Sequence, residues 1–302
     1  MKLKQLFFIL VIFFLSVTNC LAVKSTPSVE SDQQISGFSL AGYADKGKKS
    51  WDIAGKEAEI FADTVKLKDV EGNLYGKDED VNLTSKTGDF NKADGKVHLE
   101  KDVVITTSKG TKLTTNSMDW DRKNEIVTTL DRVNIEKDNM NLTGIGAHGE
   151  QRLKKVALNK DVRLDINPTP PSLKAGEMSV SDKVVVTCDG PLTIDYDKNV
   201  ATFNDNVRVE RIDSVIYSDA MDLYFSSGKS KDVVSNKAPS LMGNNKIDRI
   251  VARGNVRIVR GENTSYSDEA VYTAIDKKII LSGRPKLVFY TTEDFKNASF
   301  GN

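Results

Sequence analysis

The amino-acid sequence predicts an all-β fold of short antiparallel strands, each with one solvent-exposed face and one apolar face. Three observations support this prediction: the apolar runs are short, they alternate with a period of two, and Gly, Asn, Asp or Pro closes each of them. Segment 250–290 shows the pattern most clearly, with runs at 250–258, 269–272 and 279–289. Such alternation indicates half-buried strands, because successive side chains of a strand point to opposite faces of the sheet.

The same unit recurs along the chain. Three of the five intervals between copies are 29 or 30 residues, and the copies begin at Val97, Ile126, Val156, Val200, Ile250 and Ile279. A repeat at a nearly fixed period predicts stacked supersecondary units, none of which can bury its apolar face alone.

Composition limits the classes of function. A length of 302 residues allows one large or two medium domains. Lys and Arg together number 43, as do Asp and Glu, and such a balanced surface argues against a nucleic-acid partner. Of the two cysteines, Cys20 lies in the N-terminal apolar segment, and Cys188 is expected to be a buried strand residue. They provide neither a disulfide framework nor a cysteine-based metal site.

The N-terminal segment predicts export from the cytoplasm. Residues 1–22 carry Lys2 and Lys4 before an apolar run, which is typical of a signal peptide. Two alternatives remain open: lipid attachment at Cys20, and retention of the segment as a membrane anchor. Residues 23–36 are polar and are expected to form a tether.

A proline-rich segment divides the rest of the chain. Residues 167–174 contain three prolines, and such a segment cannot lie inside a sheet. We therefore expect one domain at 37–166 and a second at 175–302.

Residues that could carry out chemistry are sparse. His98 and His148 have no zinc or triad spacing, and His98 is expected to face solvent. Asp195, Asp197 and Asn199 match three positions of a calcium loop, but Val200 stands where that loop needs Gly, so a hairpin turn is the better interpretation. We expect no enzyme activity, no cofactor and no metal. A secreted carbohydrate-active enzyme using an acid pair around Asp119 or Asp195 is a rival hypothesis.

The apolar face itself is the remaining candidate site. Its residues share one parity within each strand, and they are either a packed sandwich core or an apolar groove for a lipid. An acyl chain buried in a groove gains about 0.8 kcal/mol per CH₂. Periodicity alone does not separate these two interpretations. The candidate residues are Val103, Ile105, Met118, Trp120, Val133, Ile135, Val207, Val209, Met221, Leu223, Val256, Ile258, Tyr272 and Leu281.

The order of the repeats resembles a known family. Segments 250–258, 267–272 and 278–285 look like the OstA-like domain of LptA, a lipopolysaccharide-transport protein. The first half is similar to its relative LptC, and the segments that carry this similarity are 51–54, 97–105, 112–118 and 133–135. The resemblance covers about residues 38–290, and its specificity comes from the order and repetition of short motifs.

The resemblance implies a fold, a cargo and partners. It implies two consecutive open β-jellyroll domains in the periplasm, an LptC-like one followed by an LptA-like one, with an apolar interior for lipopolysaccharide acyl chains. It also implies edge-to-edge docking with other jellyrolls of a transport bridge, including the inner-membrane transporter complex. Docking of this kind agrees with the physics of an unclosed sheet, whose edges leave backbone groups unpaired. The rival from another class is a structural or adhesive β-solenoid of the cell surface without lipid cargo.

Overall fold

The computed structural model describes residues 32–43, 47–76, 79–150, 154–168, 183–226, 246–276 and 278–290. Within these ranges the backbone forms seventeen β-strands and no α-helix, so the all-β prediction is confirmed. No helix in the described ranges is long and apolar enough to span a membrane. The expected signal or anchor at 1–22 lies outside the described residues.

The strands are long for a globular protein, and most contain 10 to 15 residues. The first nine are β1 (Gln33–Tyr43), β2 (Lys49–Ile60), β3 (Thr64–Tyr75), β4 (Asp80–Asn91), β5 (Lys96–Thr107), β6 (Lys112–Asp121), β7 (Ile126–Lys137), β8 (Met140–Glu150) and β9 (Lys155–Ile166). The others are β10 (Val184–Cys188), β11 (Leu192–Asp195), β12 (Val200–Glu210), β13 (Val215–Ser226), β14 (Lys246–Arg260), β15 (Asn263–Thr273), β16 (Lys278–Ser282) and β17 (Lys286–Val288).

All strands belong to one antiparallel meander. Each strand from β1 to β9 pairs with the next. Strands β10 and β11 share one position between β9 and β12, and β16 and β17 share the position beside β15. In the described residues, β1 at one end and β16 with β17 at the other pair on a single side, so the sheet has two free edges.

The sheet continues through the region where the sequence suggests a domain boundary. Strand β9 pairs with both β10 and β11, so backbone hydrogen bonds join the two halves. Most of the proline-rich segment lies outside the described residues, which stop at 168 and resume at 183. Strand β1 begins at Gln33, within the segment expected to be a tether, because residues 33–36 pair with the end of β2.

Nearly every strand is interrupted near its middle by a β-bulge or a residue with positive φ. The register shifts there in eight strand pairs. Non-glycine residues with positive φ at these points are Asp69, Lys101, Asp102, Asp161, Asp205, Asn206 and Asn255. Asp and Asn tolerate this conformation better than other residues with a side chain. The bulges bend the strands, and apolar alternation continues on both sides of each bulge.

A row of valines lines the concave side of the bend, which we call the corner row. Each valine lies opposite a small residue on the next strand: Val70 with Ser85, Val103 with Thr115, Val133 with Gly144, Val162 with Cys188, Val207 with Ser218, and Val256 with Ser267. Alternation of a branched and a small side chain lets the two sides of the bend approach closely.

The bend folds the sheet into two leaves that face each other. Leaf A carries the concave row Ile53, Leu83, Ile105, Ile135, Leu164, Val209 and Ile258, and leaf B carries Leu67, Leu99, Met118, Leu158, Phe203, Met221 and Ala252. Trp51 at the start of β2 lies beside Arg122 after β6, although these strands do not pair. We call the space between the two leaves the slot.

Candidate functional site

The fourteen candidate residues of the apolar face lie on the concave face. Eight are buried, with at most 8% exposure: Val103, Met118, Val133, Ile135, Val207, Val209, Met221 and Val256. Six are half-buried: Ile105, Trp120, Leu223, Ile258, Tyr272 and Leu281. The first group lies at or next to the bend, and most of the second group lies toward the rims or the C-terminal edge, where the leaves are less covered.

The central part of the slot, from β7 to β15, is filled by the protein's own side chains. One continuous cluster joins nineteen buried residues from these strands. Its largest fully buried members are Phe203, Leu142, Leu158 and Leu192, each at most 1% exposed. This region is therefore a packed core.

The N-terminal part of the slot, from β1 to β6, is less filled. Its buried residues form two separate clusters of four residues each. The side chains around them are only partly buried, and they include Ile53, Val65, Leu83, Phe90 and Ile105. Apolar side chains here remain partly accessible between the leaves.

An aromatic cluster stands at the rim of this N-terminal part. The guanidinium of Arg122 lies 5.5 Å from the ring centre of Trp51, 5.9 Å from that of Phe90 and 5.8 Å from that of Trp120. Trp51 belongs to leaf A, whereas Phe90 and Trp120 flank Val97 in the rim row of leaf B. Gly42 makes room for Trp51, since a Cβ there would stand 2.1 Å from the indole nitrogen. We call these four residues the rim cluster.

Surface clefts follow the same rim. One of about 620 Å³ runs along the ends of β3 to β7 and includes Val97 and Trp120 in its lining. Another of about 300 Å³ lies further along, beside Val156 and Ile194. Both clefts are lined partly by concave and partly by convex residues, as expected at the edge of a leaf.

The titratable groups lie mainly outside the slot. His98 is on the convex face, as predicted, where its Nδ1 lies 2.7 Å from Asp119 Oδ1. His148 is paired with Glu150 at 3.0 Å. Among the described residues, no group of three or more His, Cys, Asp or Glu side chains could hold a metal ion.

Asp195 ends β11 in a hairpin turn, as predicted in preference to a calcium loop. Its Oδ1 accepts a hydrogen bond from the Lys198 backbone N–H at 3.0 Å, and this contact lowers the pKa of the carboxyl group. A general acid of a glycosidase needs a raised pKa. Asp195 therefore stabilises the turn and is poorly suited to donate a proton.

Cys188 is a buried strand residue, as predicted. Its side chain lies opposite Val162 in the corner row and is 4% exposed. Burial raises the pKa of this thiol to about 11, so the nucleophilic thiolate is scarce at neutral pH.

Sequence reasoning missed three members of the rim cluster: Arg122, Trp51 and Phe90. In the sequence, Arg122 is recognisable only as part of the turn between β6 and β7. The rings of Trp51 and Phe90 belong to strands that are distant from it in sequence. The available signal was the position of aromatic residues near strand ends, at the edge of the apolar face. It could not reveal the cluster, because the contact joins residues of both leaves across the slot.

Comparison with known protein families assigns both halves of the chain. Residues 6–167 match the family described as lipopolysaccharide-assembly, LptC-related. Residues 190–301 match the family of LptA and LptD N-terminal-domain lipopolysaccharide-transport proteins. A search of curated proteins gives no match. The first match spans more than half of the chain, and the order agrees with the resemblance read from the repeats. The chain therefore belongs to the LptC-related lipopolysaccharide-assembly family and carries an LptA-like second half.

Proposed function

We propose that this protein is a non-enzymatic periplasmic carrier that holds lipopolysaccharide acyl chains between the two leaves. The observation that carries the proposal is the partly filled apolar slot between β1 and β6. Each CH₂ group moved from water into such a slot contributes about 0.8 kcal/mol. Several acyl chains together then offset the cost of ordering the lipid.

The half-buried candidates are the best positions for lipid contact. Ile105 and Trp120 line the N-terminal slot, while Leu223, Ile258, Tyr272 and Leu281 line the less covered parts of the second half. The eight buried candidates lie deeper in the slot and pack beneath these residues. Tyr272 lies directly opposite Ile250 across β14 and β15, which places its ring on the concave rim.

The two free edges of the sheet are the proposed docking surfaces. Among the described residues, strand β1 presents unpaired backbone groups at one end, and β16 and β17 present them at the other. A strand from another jellyroll could continue the hydrogen-bond ladder at either edge. Such head-to-tail contacts do not close on themselves, so they could build a bridge from an inner-membrane transporter complex toward the outer membrane. The segment 1–22 would either direct export or attach the chain to the inner membrane.

In-cell photocrosslinking tests the cargo and its position. A photoreactive residue at Ile105 or Ile258 is expected to capture lipopolysaccharide, because both side chains lie half-buried on the concave face. The matched control is His98, on the convex face of the same strand as Ile105. Capture at His98 but at neither concave position would contradict the carrier function.

A structural β-solenoid is the second candidate, and the packed centre favours it. The cluster from β7 to β15 leaves its largest side chains at most 1% exposed, as a dry structural core requires. This candidate predicts that neither Ile105 nor Ile258 captures lipid while the protein remains folded and exported. The same crosslinking experiment therefore separates the two functions.

A further inference from the structure

The rim cluster places a cation at the open mouth of the slot. Trp51 approaches Arg122 from leaf A, and Phe90 and Trp120 approach it from leaf B, at ring-centre distances of 5.5 to 5.9 Å. Such distances lie within the range of cation–π attraction. The three rings therefore hold the guanidinium between the leaves.

The hydrogen-bonding groups of Arg122 are available. In the described parts of the chain, Arg122 makes ring contacts but no hydrogen bond or ion pair. Its side chain is exposed, so its five N–H donors face the mouth of the slot or solvent. A guanidinium stacked on rings keeps its donors in one plane, and this geometry suits two-point recognition of a phosphate group.

The carboxylates adjacent in sequence are engaged elsewhere. Asp121 accepts hydrogen bonds from the backbone N–H of Asn124 at 3.0 Å and from its side-chain amide at 2.8 Å. These contacts turn the Asp121 carboxylate into the hairpin and lower its pKa. Asp119 pairs with His98 on the convex face. Arg122 therefore keeps a net attraction for an anion.

We propose that Arg122 binds a phosphate group on the head of the amphiphile whose acyl chains occupy the N-terminal slot. This inference rests on the proposed carrier function and adds to it a site for the head group. An amphiphile with its tails among Leu83, Phe90 and Ile105 must present its head at the mouth, where Arg122 lies. Trp51 and Trp120 then serve as positioning residues, because they fix the guanidinium without forming the charged contact.

The test measures binding of three probes to the full chain by isothermal titration calorimetry. The probes are lipid A with both phosphates in mixed detergent micelles, the same acylated disaccharide without phosphates, and inorganic phosphate. We expect the phosphorylated lipid to bind about tenfold more tightly than the phosphate-free one, a difference of about 1.4 kcal/mol. Inorganic phosphate alone is expected to give no measurable binding at the same concentration, since it lacks the tails.

The variant Arg122→Gln should remove the tenfold preference for the phosphorylated lipid. Arg132→Gln is the matched control, because it removes the same charge from an exposed position beside the bulge of β7 and should keep the preference. Equal binding of both lipids to the unmodified chain would overturn the Arg122 site and leave the carrier function standing. Failure of both lipids to bind would overturn both proposals. Binding of inorganic phosphate as tight as that of the lipid would show a site for free phosphate and contradict head-group recognition.

Discussion

The N-terminal and central regions of this sheet share one plan but differ in how they fill the concave face. In both regions most strands bend at a bulge near the middle, and valines line the corner row. In the centre, Leu158, Leu192 and Phe203 lie side by side on leaf B and are buried. In the N-terminal region, Gly72 in the concave row of leaf A and Gly88 in that of leaf B supply no side chain. A repeated backbone can therefore form a dry core in one part of the sheet and a partly open slot in another.

We expect the largest loss of stability from a substitution in the packed centre. Phe203→Ala should lower the free energy of unfolding by about 3–5 kcal/mol, because the residue is 1% exposed and its loss leaves a cavity. Phe90→Ala, on the half-buried rim, should cost only about 1 kcal/mol. Urea unfolding followed by circular dichroism measures both. Equal losses would mean that the two regions are packed alike.

A second pair of variants compares the backbone of the two regions. Gly190 has φ +108 and a Cβ there would stand 2.3 Å from the Asn159 carbonyl oxygen, so Gly190→Ala should cost at least about 2 kcal/mol. Gly37 in β1 has φ +64 with nothing within 4 Å of the added Cβ, so Gly37→Ala should cost about 1 kcal/mol. Thermal unfolding of both variants provides the comparison. A larger loss at Gly37 would contradict the close approach of the backbones in the centre.

We expect the smallest effect on stability from a change of pH, which acts on the N-terminal region. The Asp52 carboxylate pairs with Lys49 and accepts hydrogen bonds from Asn73 and Tyr75, and these contacts lower its pKa from 3.8 to about 2. A lowered pKa in the folded state means that this stabilisation is present above pH 3.8 and is lost as the pH falls toward 2. Since both tryptophans, 51 and 120, lie in this region, tryptophan fluorescence should report a lower urea midpoint at pH 2.5 than at pH 5.

Asp52→Asn should reduce this dependence of the fluorescence midpoint on pH. The matched variant Asp165→Asn, in β9 of the central region, should reduce it less, because Arg163 and Lys183 also lower the pKa of Asp165 but both tryptophans lie in the N-terminal region. If the urea midpoint of the Asp52→Asn variant depended on pH as much as that of the unmodified chain, Asp52 would not be the cause of the dependence.

The sequence predicts much of the fold because strands and turns depend on local pattern. Asp94-Gly95 forms the turn between β4 and β5, and Gly95 has the positive φ that such a turn requires. The sequence predicts the positions of the bulges less clearly than those of the turns. Lys101-Asp102 and Asp205-Asn206 stand inside apolar repeats, where Asp and Asn also fit an ordinary turn.

The candidate site is only partly predictable, for a physical reason. Val256 and Ile258 have the same parity in β14, yet one is fully buried and the other half-buried, because exposure depends on the opposite leaf. The rim cluster also depends on that pairing, since it brings Trp51 to Arg122 across 71 positions of the chain. Alternation of side chains records which face is apolar, but it carries no information about what covers that face.

We propose that acyl chains enter the slot beside Trp120. Lipid A with brominated acyl chains tests it directly, since bromine quenches indole fluorescence on near contact. In a Trp51→Phe chain, we expect strong quenching of Trp120 by the brominated lipid and little by the unbrominated one. A tryptophan placed at His98, with both native tryptophans changed to phenylalanine, should remain bright. Binding of the brominated lipid with undiminished Trp120 fluorescence would contradict the claim.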